Sequence, residues 1–275
     1  MFEIRPSRSK GQNFLINEKV YDDIIKAAGV DERDSVLEVG PGLGFMTAKL
    51  SRKVRRVVAV ELDDRLAAYL QMAVDSRAFS NVQVVNRDIL TFNVGDHFLP
   101  SEPFKIVANL PYNITSIFLR SFLSAARQPE SMTLMLQKEV AERIVASPPN
   151  MSVLAVSVQY YADAEIIREV KAGNFWPEPE VDSAIIRLKI KNKAENSAQH
   201  AAHPFDDRMF FRLVRSGFSS KRKMLKNNLA AGLRIEVRAV ESVMAEQGLD
   251  PKIRAEELSL ENWQNLVAAL APLVV

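Results

Sequence analysis

No cysteine occurs among the 275 residues, so disulfides, thiolate metal sites and cysteine nucleophiles are excluded. Histidine is nearly as scarce: the three, His97, His200 and His203, stand in loop-like or linker text without ligand spacing, and no metal is expected. No apolar run approaches the ~20 residues that span a bilayer. The first residues, MFEIRPSRSKGQNFL, also lack the apolar core and small-residue cleavage site of a secretory leader. The chain is therefore expected to be free of the membrane and to work in the cytoplasm or an organelle interior. Charge of one sign is lacking too: 36 Lys+Arg face 34 Asp+Glu, a net +2 that indicates no nucleic-acid partner by itself. There is no internal repeat and no low-complexity tract.

Residues 35–190 alternate short β-branched or apolar runs with amphipathic stretches. Strands are expected at 35–39, 56–61, 82–85, 104–108, 132–136, within 155–166, and at 184–190, with helices near 45–54, 64–75, 116–126 and 138–146. That rhythm predicts an α/β, Rossmann-like, mostly parallel sheet with right-handed crossovers. The text changes after residue 193. Residues 193–203 are polar and alanine-rich, and beyond them apolar residues recur at helical spacing, as in Phe210, Leu213, Val214 and Phe218. The expected division is a sheet domain over 1–193, a linker over 194–203 and a small all-helical domain over 204–275.

The first strand runs into Glu38-Val39-Gly40-Pro41-Gly42-Leu43-Gly44, directly before a helix. Glycines there let the backbone turn tightly at the carboxyl edge of the sheet and approach a ligand beside the helix's positive end. The spacing is not the G-x-G-x-x-G of dinucleotide enzymes, which argues against NAD. Glu61 falls at the next strand tip, where a carboxylate can accept both ribose hydroxyl hydrogens, and Asp88 at the third, where it can accept from an adenine amine. Carboxylates at strand ends are often plain helix caps, and Asp63 fits that description. Three consecutive tips shaped for a nucleoside, without a pyrophosphate site, favour S-adenosylmethionine, with Glu38 and the glycine loop near its amino-acid tail.

The fourth strand ends in Asn109-Leu110-Pro111-Tyr112-Asn113. An adenine N6 is a poor nucleophile because its lone pair is delocalised into the ring. Asn109 Oδ1 and the Leu110 carbonyl can accept the two N6 hydrogens and aim that lone pair at a sulfonium methyl, a task of orientation and charge stabilisation. Pro111 restricts Leu110 to extended geometry, and Tyr112 offers a face for an extruded base. A second aromatic precedes the last strand in Phe175-Trp176-Pro177-Glu178-Pro179-Glu180, where either Phe175 or Trp176 could form the opposite wall. Further on, residues 206–226 hold Arg208, Arg212, Arg215, Lys221, Arg222, Lys223 and Lys226 against only Asp206 and Asp207. Most charge runs are solvated faces, but beside a base-reading pocket this one suits a phosphate backbone. Arg5, Arg8 and Lys10 add positive charge near the amino end.

Gly11-Gln-Asn-Phe-Leu15, Glu38-Val-Gly-Pro-Gly-Leu-Gly44, Asn109-Leu-Pro-Tyr112, Gln137-Lys-Glu-Val140, Phe175-x-Pro-x-Pro-x-Val-Asp-Ser183 and Phe218-Ser-Ser-Lys-Arg-Lys-Met-Leu-Lys-Asn-Asn-Leu229 resemble the small-subunit rRNA adenine dimethyltransferases over nearly the whole chain. The resemblance implies a seven-stranded S-adenosylmethionine-dependent fold with one reversed strand and a helical RNA-docking tail. It implies dimethylation of two adjacent adenines in the terminal hairpin loop of small-subunit rRNA, acting as a monomer on the pre-ribosomal small subunit. It places Gln12, Asn13, Leu15, Gly40, Glu61, Asp88 and Asn109 around the cofactor, and Asn109, Leu110, Tyr112 and Phe175 around the target base. The RNA contacts expected are Arg215, Lys221, Arg222, Lys223 and Lys226. One segment departs from the pattern: Ser147-Pro-Pro-Asn-Met-Ser-Val153 stands where the family usually has a Gly- and Lys-rich turn. Two other readings compete, the related large-subunit rRNA enzyme and a non-catalytic RNA-binding assembly or transcription factor on the same fold.

Overall fold

The computed structural model describes residues 13–76, 79–191 and 206–274. By internal contacts the chain divides into two compact units, the described residues to Ala141 with Asp163–Ile190, and Glu142–Ala162 with the described residues from Lys191 onward.

The first unit is built on strands β2 Ser35–Val39, β3 Arg56–Glu61, β4 Val82–Asn86, β5 Lys105–Asn109, β6 Ser131–Gln137, β7 Ala162–Val170 and β9 Ser183–Ile190. They form one sheet in the order β4-β3-β2-β5-β6-β9-β7. The pairs from β4 through to β6 are all parallel. β9 runs antiparallel to β6 from Ser131↔Lys189 to Gln137↔Ser183, so one strand beside β6 is reversed. A two-stranded ribbon, β1 Phe14–Leu15 with β8 Phe175–Trp176, lies outside this sheet. Val36, Leu37, Val57, Val58, Ala59 and Val107 are fully buried, as central parallel strands covered on both faces require. Because β2 has β3 on one side and β5 on the other, chain order reverses at β2, and ligands of such sheets bind in the crevice at the carboxyl ends there.

The helices that follow the strands start on side-chain caps. α1 Glu18–Ala28 begins where Asn17 accepts from the Lys19 N–H, and α3 Asp64–Asp75 where Asp63 accepts from the Arg65 N–H. α2 Phe45–Ser51 begins instead at Gly44, in the left-handed conformation at φ 79°.

The strand expected within 155–166 is present only over its last residues. Val153–Tyr161 is a helix, capped by Ser152 accepting from the Ala155 N–H, and β7 starts only at Ala162. Ala155, Val156, Val158, Tyr160 and Tyr161 are buried around several sides of this helix, so its apolar text has no helical period to betray it.

In the second unit, helices Asp207–Gly217, Leu225–Leu233, Val237–Glu246 and Leu260–Leu270 pack on one another, and Val153–Tyr161 packs against the first and the last of them. Residues 142–162 therefore belong with the helical tail, although they fall inside the sheet domain's expected range of 1–193. The Tyr160 ring stacks on Phe210 at 4.3 Å, and Asp207 accepts from the hydroxyls of Tyr160 and Tyr161 at 2.9 and 2.8 Å. Gly217 permits the closest approach in the unit: a Cβ there would stand 2.4 Å from the Trp263 ring. Met151, in the segment that departs from the family pattern, is buried and donates its N–H to the Glu256 carbonyl at 3.0 Å. That segment thus serves the packing of the helical unit. The expected linker 194–203 lies outside the described residues. Among the described residues no helix is long and apolar enough to cross a membrane.

Candidate functional site

A cavity of about 320 Å³ opens at the carboxyl ends of β2, β3, β4 and β5, lined by Asn13, Phe14, Gly40, Gly42, Glu61, Arg87, Asp88, Asn109, Leu110, Tyr112 and Phe175 among others. Its floor is the turn after β2. Gly40, Gly42 and Gly44 all take positive φ, 66°, 56° and 79°, a run that side chains with a Cβ rarely adopt. A Cβ on Gly42 would meet the Phe14 ring at 3.4 Å, and one on Gly40 the Asn109 carbonyl at 3.7 Å. Glycine keeps the backbone itself as the cavity surface.

Glu61, 6% exposed, ties this turn to the tip of β3. Its Oε2 accepts from the Gly42 N–H at 3.0 Å and its Oε1 from the Asp63 N–H at 2.9 Å. A carboxylate has about four acceptor sites, so each oxygen keeps one for a ligand while the side chain is held in place. Burial pushes its pKa up, Asp63's charge adds to the rise, and the Asp63 and Gly42 amides pull it back. Asp88 Oδ1 accepts from the Leu90 N–H at 2.9 Å, which leaves Oδ2 for the cavity.

Asn109 ends β5 opposite Met135 of β6, and the Leu110 N–H donates to the Met135 carbonyl at 3.1 Å, fixing the start of the next turn. The Asn109 side chain is half-buried in the cavity wall and makes no hydrogen bond to any described residue. The Tyr112 hydroxyl pairs with the Ser183 hydroxyl at 2.8 Å, and burial raises the Tyr112 pKa. Ser183, fully buried at the head of β9, is a site residue the sequence did not single out, since nothing local announces a partner 71 positions away. Between Phe175 and Trp176, the structure chooses. Phe175 is buried and lines the cavity, whereas Trp176 is exposed outside it.

Two expectations need correction, those for Glu38 and Lys226. Glu38 is fully buried in β2 and does not line the cavity, so it is not placed for a ligand's amino-acid tail. Leu15 is buried and lines a smaller recess of about 30 Å³ together with Gly40, Gly42 and Asn109, beside the glycine turn. In the helical unit, Lys226 is mostly covered and ion-paired with Glu241, so its charge is spent at home. The other cations remain outward. Arg208, Arg212 and Arg215 are exposed at i, i+4 and i+7 on the face of Asp207–Gly217 opposite buried Phe210, Leu213 and Val214, and Lys221, Arg222 and Lys223 are exposed in the turn that follows. That turn is anchored from below by buried Asn228, whose Nδ2 donates to the carbonyls of Gly217 and Ser220 at 2.6 and 2.9 Å. Gln12 lies outside the described residues, as do Arg5, Arg8 and Lys10.

Comparisons with known proteins give consistent matches. The family profile for ribosomal RNA adenine dimethylase matches residues 4–271. The ribosomal RNA small subunit methyltransferase A of Dehalococcoides mccartyi (strain ATCC BAA-2266 / KCTC 15142 / 195) is 40% identical over 96% of this chain and 88% of its own. The protein of the same name from Clostridium botulinum (strain Okra / Type B1) is 36% identical over 96% and 94%. Among solved structures, a dimethyladenosine transferase from Plasmodium falciparum shares the fold with TM-score 0.77 at 24% identity, covering 94% of this chain and 98% of its own. The 23S rRNA methyltransferase ErmE gives TM-score 0.72 at 27% identity over 94% and 100%.

Proposed function

The chain belongs to the ribosomal RNA adenine dimethylase family, and on that premise we propose that it uses S-adenosylmethionine to dimethylate N6 of two adjacent adenosines in the terminal hairpin loop of small-subunit rRNA. It is a methyltransferase of ribosomal RNA. The acceptor in this reading is the pre-ribosomal small subunit, met by a monomer in the cytoplasm.

The residues at the cavity fit the cofactor. Gly40 and Gly42 leave room a Cβ would fill, Glu61 and Asp88 have acceptor positions in reserve, and no further glycine-amide cradle for a pyrophosphate is called for. Glu61 would take the ribose hydroxyls, Asp88 the adenine amine, and Asn13, Gly40 and Asn109 the remainder, with Gln12 and Leu15 assigned by resemblance. Bound there, S-adenosylmethionine supplies an electrophilic methyl on a sulfonium.

The observation that carries the reading is Asn109: a polar amide in the cavity wall with no hydrogen-bond partner among the described residues, in a lining that also holds Tyr112 and Phe175. Its amide is open to the cavity and free to bond a ligand, and a target adenine supplies the hydrogens it can accept. Asn109 Oδ1 and the Leu110 carbonyl accept the two N6 hydrogens and hold the lone pair in line. Tyr112 and Phe175 hold the flipped base by its faces. Once N6 has gained a methyl it is positively charged and loses a proton to solvent without a side-chain base.

Ser183 positions Tyr112. Ser183→Ala is expected to lower kcat by about threefold to tenfold, the worth of one hydroxyl hydrogen bond. Cofactor affinity should not change, and Tyr112→Phe should lose the same amount with no further loss in the double variant. Additive losses in steady-state kinetics would reject the coupling.

The large-subunit substrate is the second reading, favoured by the ErmE match. That match covers 94% of this chain and the whole of ErmE. Purified protein should transfer labelled methyl to unmodified small-subunit particles, with mass spectrometry locating dimethyladenosine at two neighbouring positions of the terminal hairpin. A modification mapped to large-subunit RNA, or none on either RNA by protein that binds cofactor, would overturn the assignment.

A further inference from the structure

Trp176 is 53% exposed, the only large aromatic of the β1–β8 ribbon left in water. In that ribbon Phe14 stands opposite Trp176, and Leu15 opposite Phe175. Directly opposed residues of an antiparallel pair share a face, about 5 Å apart, and successive residues alternate. Leu15 and Phe175 therefore turn inward to the core, while Phe14 and Trp176 share the other face. Phe14 lies against the glycine turn and lines the reaction cavity. Phe175 lines the same cavity, so Trp176, next to one lining residue in the chain and opposite the other in the ribbon, stands at the cavity's rim without lining it.

Single exposed apolar side chains are ordinary, so exposure alone decides nothing. Position and surroundings decide. The residues after Trp176 include exposed Glu178 and Glu180, and Asp182 ion-paired with Lys171 at 2.8 Å. Glu178 and Glu180 have no ion-pair partner among the described residues, and two such carboxylates repel a phosphate, so this rim does not follow an RNA backbone. It offers a ring face and little else, and what a ring face holds beside carboxylates is a neutral base. The nucleotide next to an adenine drawn into the cavity must leave along the rim, and its base comes within reach of the indole.

We propose that Trp176 is a stacking subsite for the nucleobase adjacent to the target adenine in a single-stranded segment of the RNA substrate. The inference rests on the reading of the chain as an RNA adenine methyltransferase. The subsite is sequence-tolerant, because every base has a π face. It acts on RNA affinity and leaves the chemistry at N6 untouched.

The chain has two tryptophans, and the other, Trp263, is fully buried in the helical unit, so fluorescence separates them. A short single-stranded RNA with two adjacent adenines should quench the emission of the full-length wild-type protein, and the quench should vanish in Trp176→Ala. With unmodified small-subunit particles, Trp176→Ala should raise KM for RNA about tenfold, leave cofactor affinity unchanged and keep kcat within about twofold of wild type, while Trp176→Phe recovers most of the KM. A quench that persists in Trp176→Ala, or an unchanged KM in a fully active variant, overturns the subsite and leaves the methyltransferase reading intact. Wild-type protein that methylates no RNA overturns both.

Discussion

Asn109→Ala should abolish nearly all methyl transfer, lowering kcat by about a hundredfold to a thousandfold, the range found when one preorganised polar group is removed from a reaction centre. RNA affinity should fall by much less, because the exposed cations of Arg208–Lys223 are in another part of the chain and contribute through phosphate neutralisation. Structure gives the variant little reason to unfold. The Asn109 side chain makes no hydrogen bond to the described protein, so truncation strands no partner, and the backbone pairing of Asn109 with Met135 is untouched. Single-turnover methylation of unmodified particles, with filter binding on the same samples, separates the two effects. Equal loss of binding and turnover would show that Asn109 is a general part of the RNA surface; turnover at the wild-type rate would remove it from the reaction centre altogether.

Much of this site was legible because its elements are local. A buried strand, a glycine turn and a helix in unbroken succession can only put the turn at the sheet's carboxyl edge, and Glu61, Asp88 and Asn109 follow from counting strands. What could not be read depends on partners distant in the chain. Lys226 counts as a free cation until Glu241, on a separate helix, is seen against it. Ser183 has no recognisable task until β9 sets it beside Tyr112. Whether Phe175 or Trp176 faces the base is a question of strand parity, and parity was undefined before β1 was found paired with β8. Val153–Tyr161 was missed for a different reason, since a helix buried on several sides lacks the polar face that periodicity detects.

Glu38 failed the expectation most completely, and it carries the second large effect. Its text position, two residues before Gly40, suggests a ligand carboxylate, yet within a strand covered on both sides its side chain has nowhere to go but the interior. It is fully buried, and neither carboxyl oxygen is within good hydrogen-bond geometry of a partner among the described residues. Burial pushes its pKa from the ordinary 4.5 up to about 8, with Glu61 adding to the rise and Thr47 opposing it. At neutral pH the group is mostly a neutral acid, which costs far less to bury than an anion.

The sign of the linkage follows. Between pH 4.5 and about 8 the folded chain keeps a proton on Glu38 that the unfolded chain has lost, so the folded state binds more protons and stability falls as pH rises through that interval. The contribution is levelled off above about 8, having cost on the order of 5 kcal/mol. Glu38→Gln keeps the shape and cannot ionise, so the stability difference between variant and wild type should grow in the variant's favour from pH 5 to pH 8.5 and then stay constant. Taking the difference cancels every group common to both chains except those electrostatically coupled to Glu38, which are Tyr21 on α1 and Glu61 on β3. Tyr21 is held above its ordinary pKa by burial and by Glu38, so it stays neutral across the interval. Urea titrations at four pH values suffice to trace the curve. A difference independent of pH would mean that Glu38 is ionised in the fold and that some group faces it which the buried oxygens do not reveal.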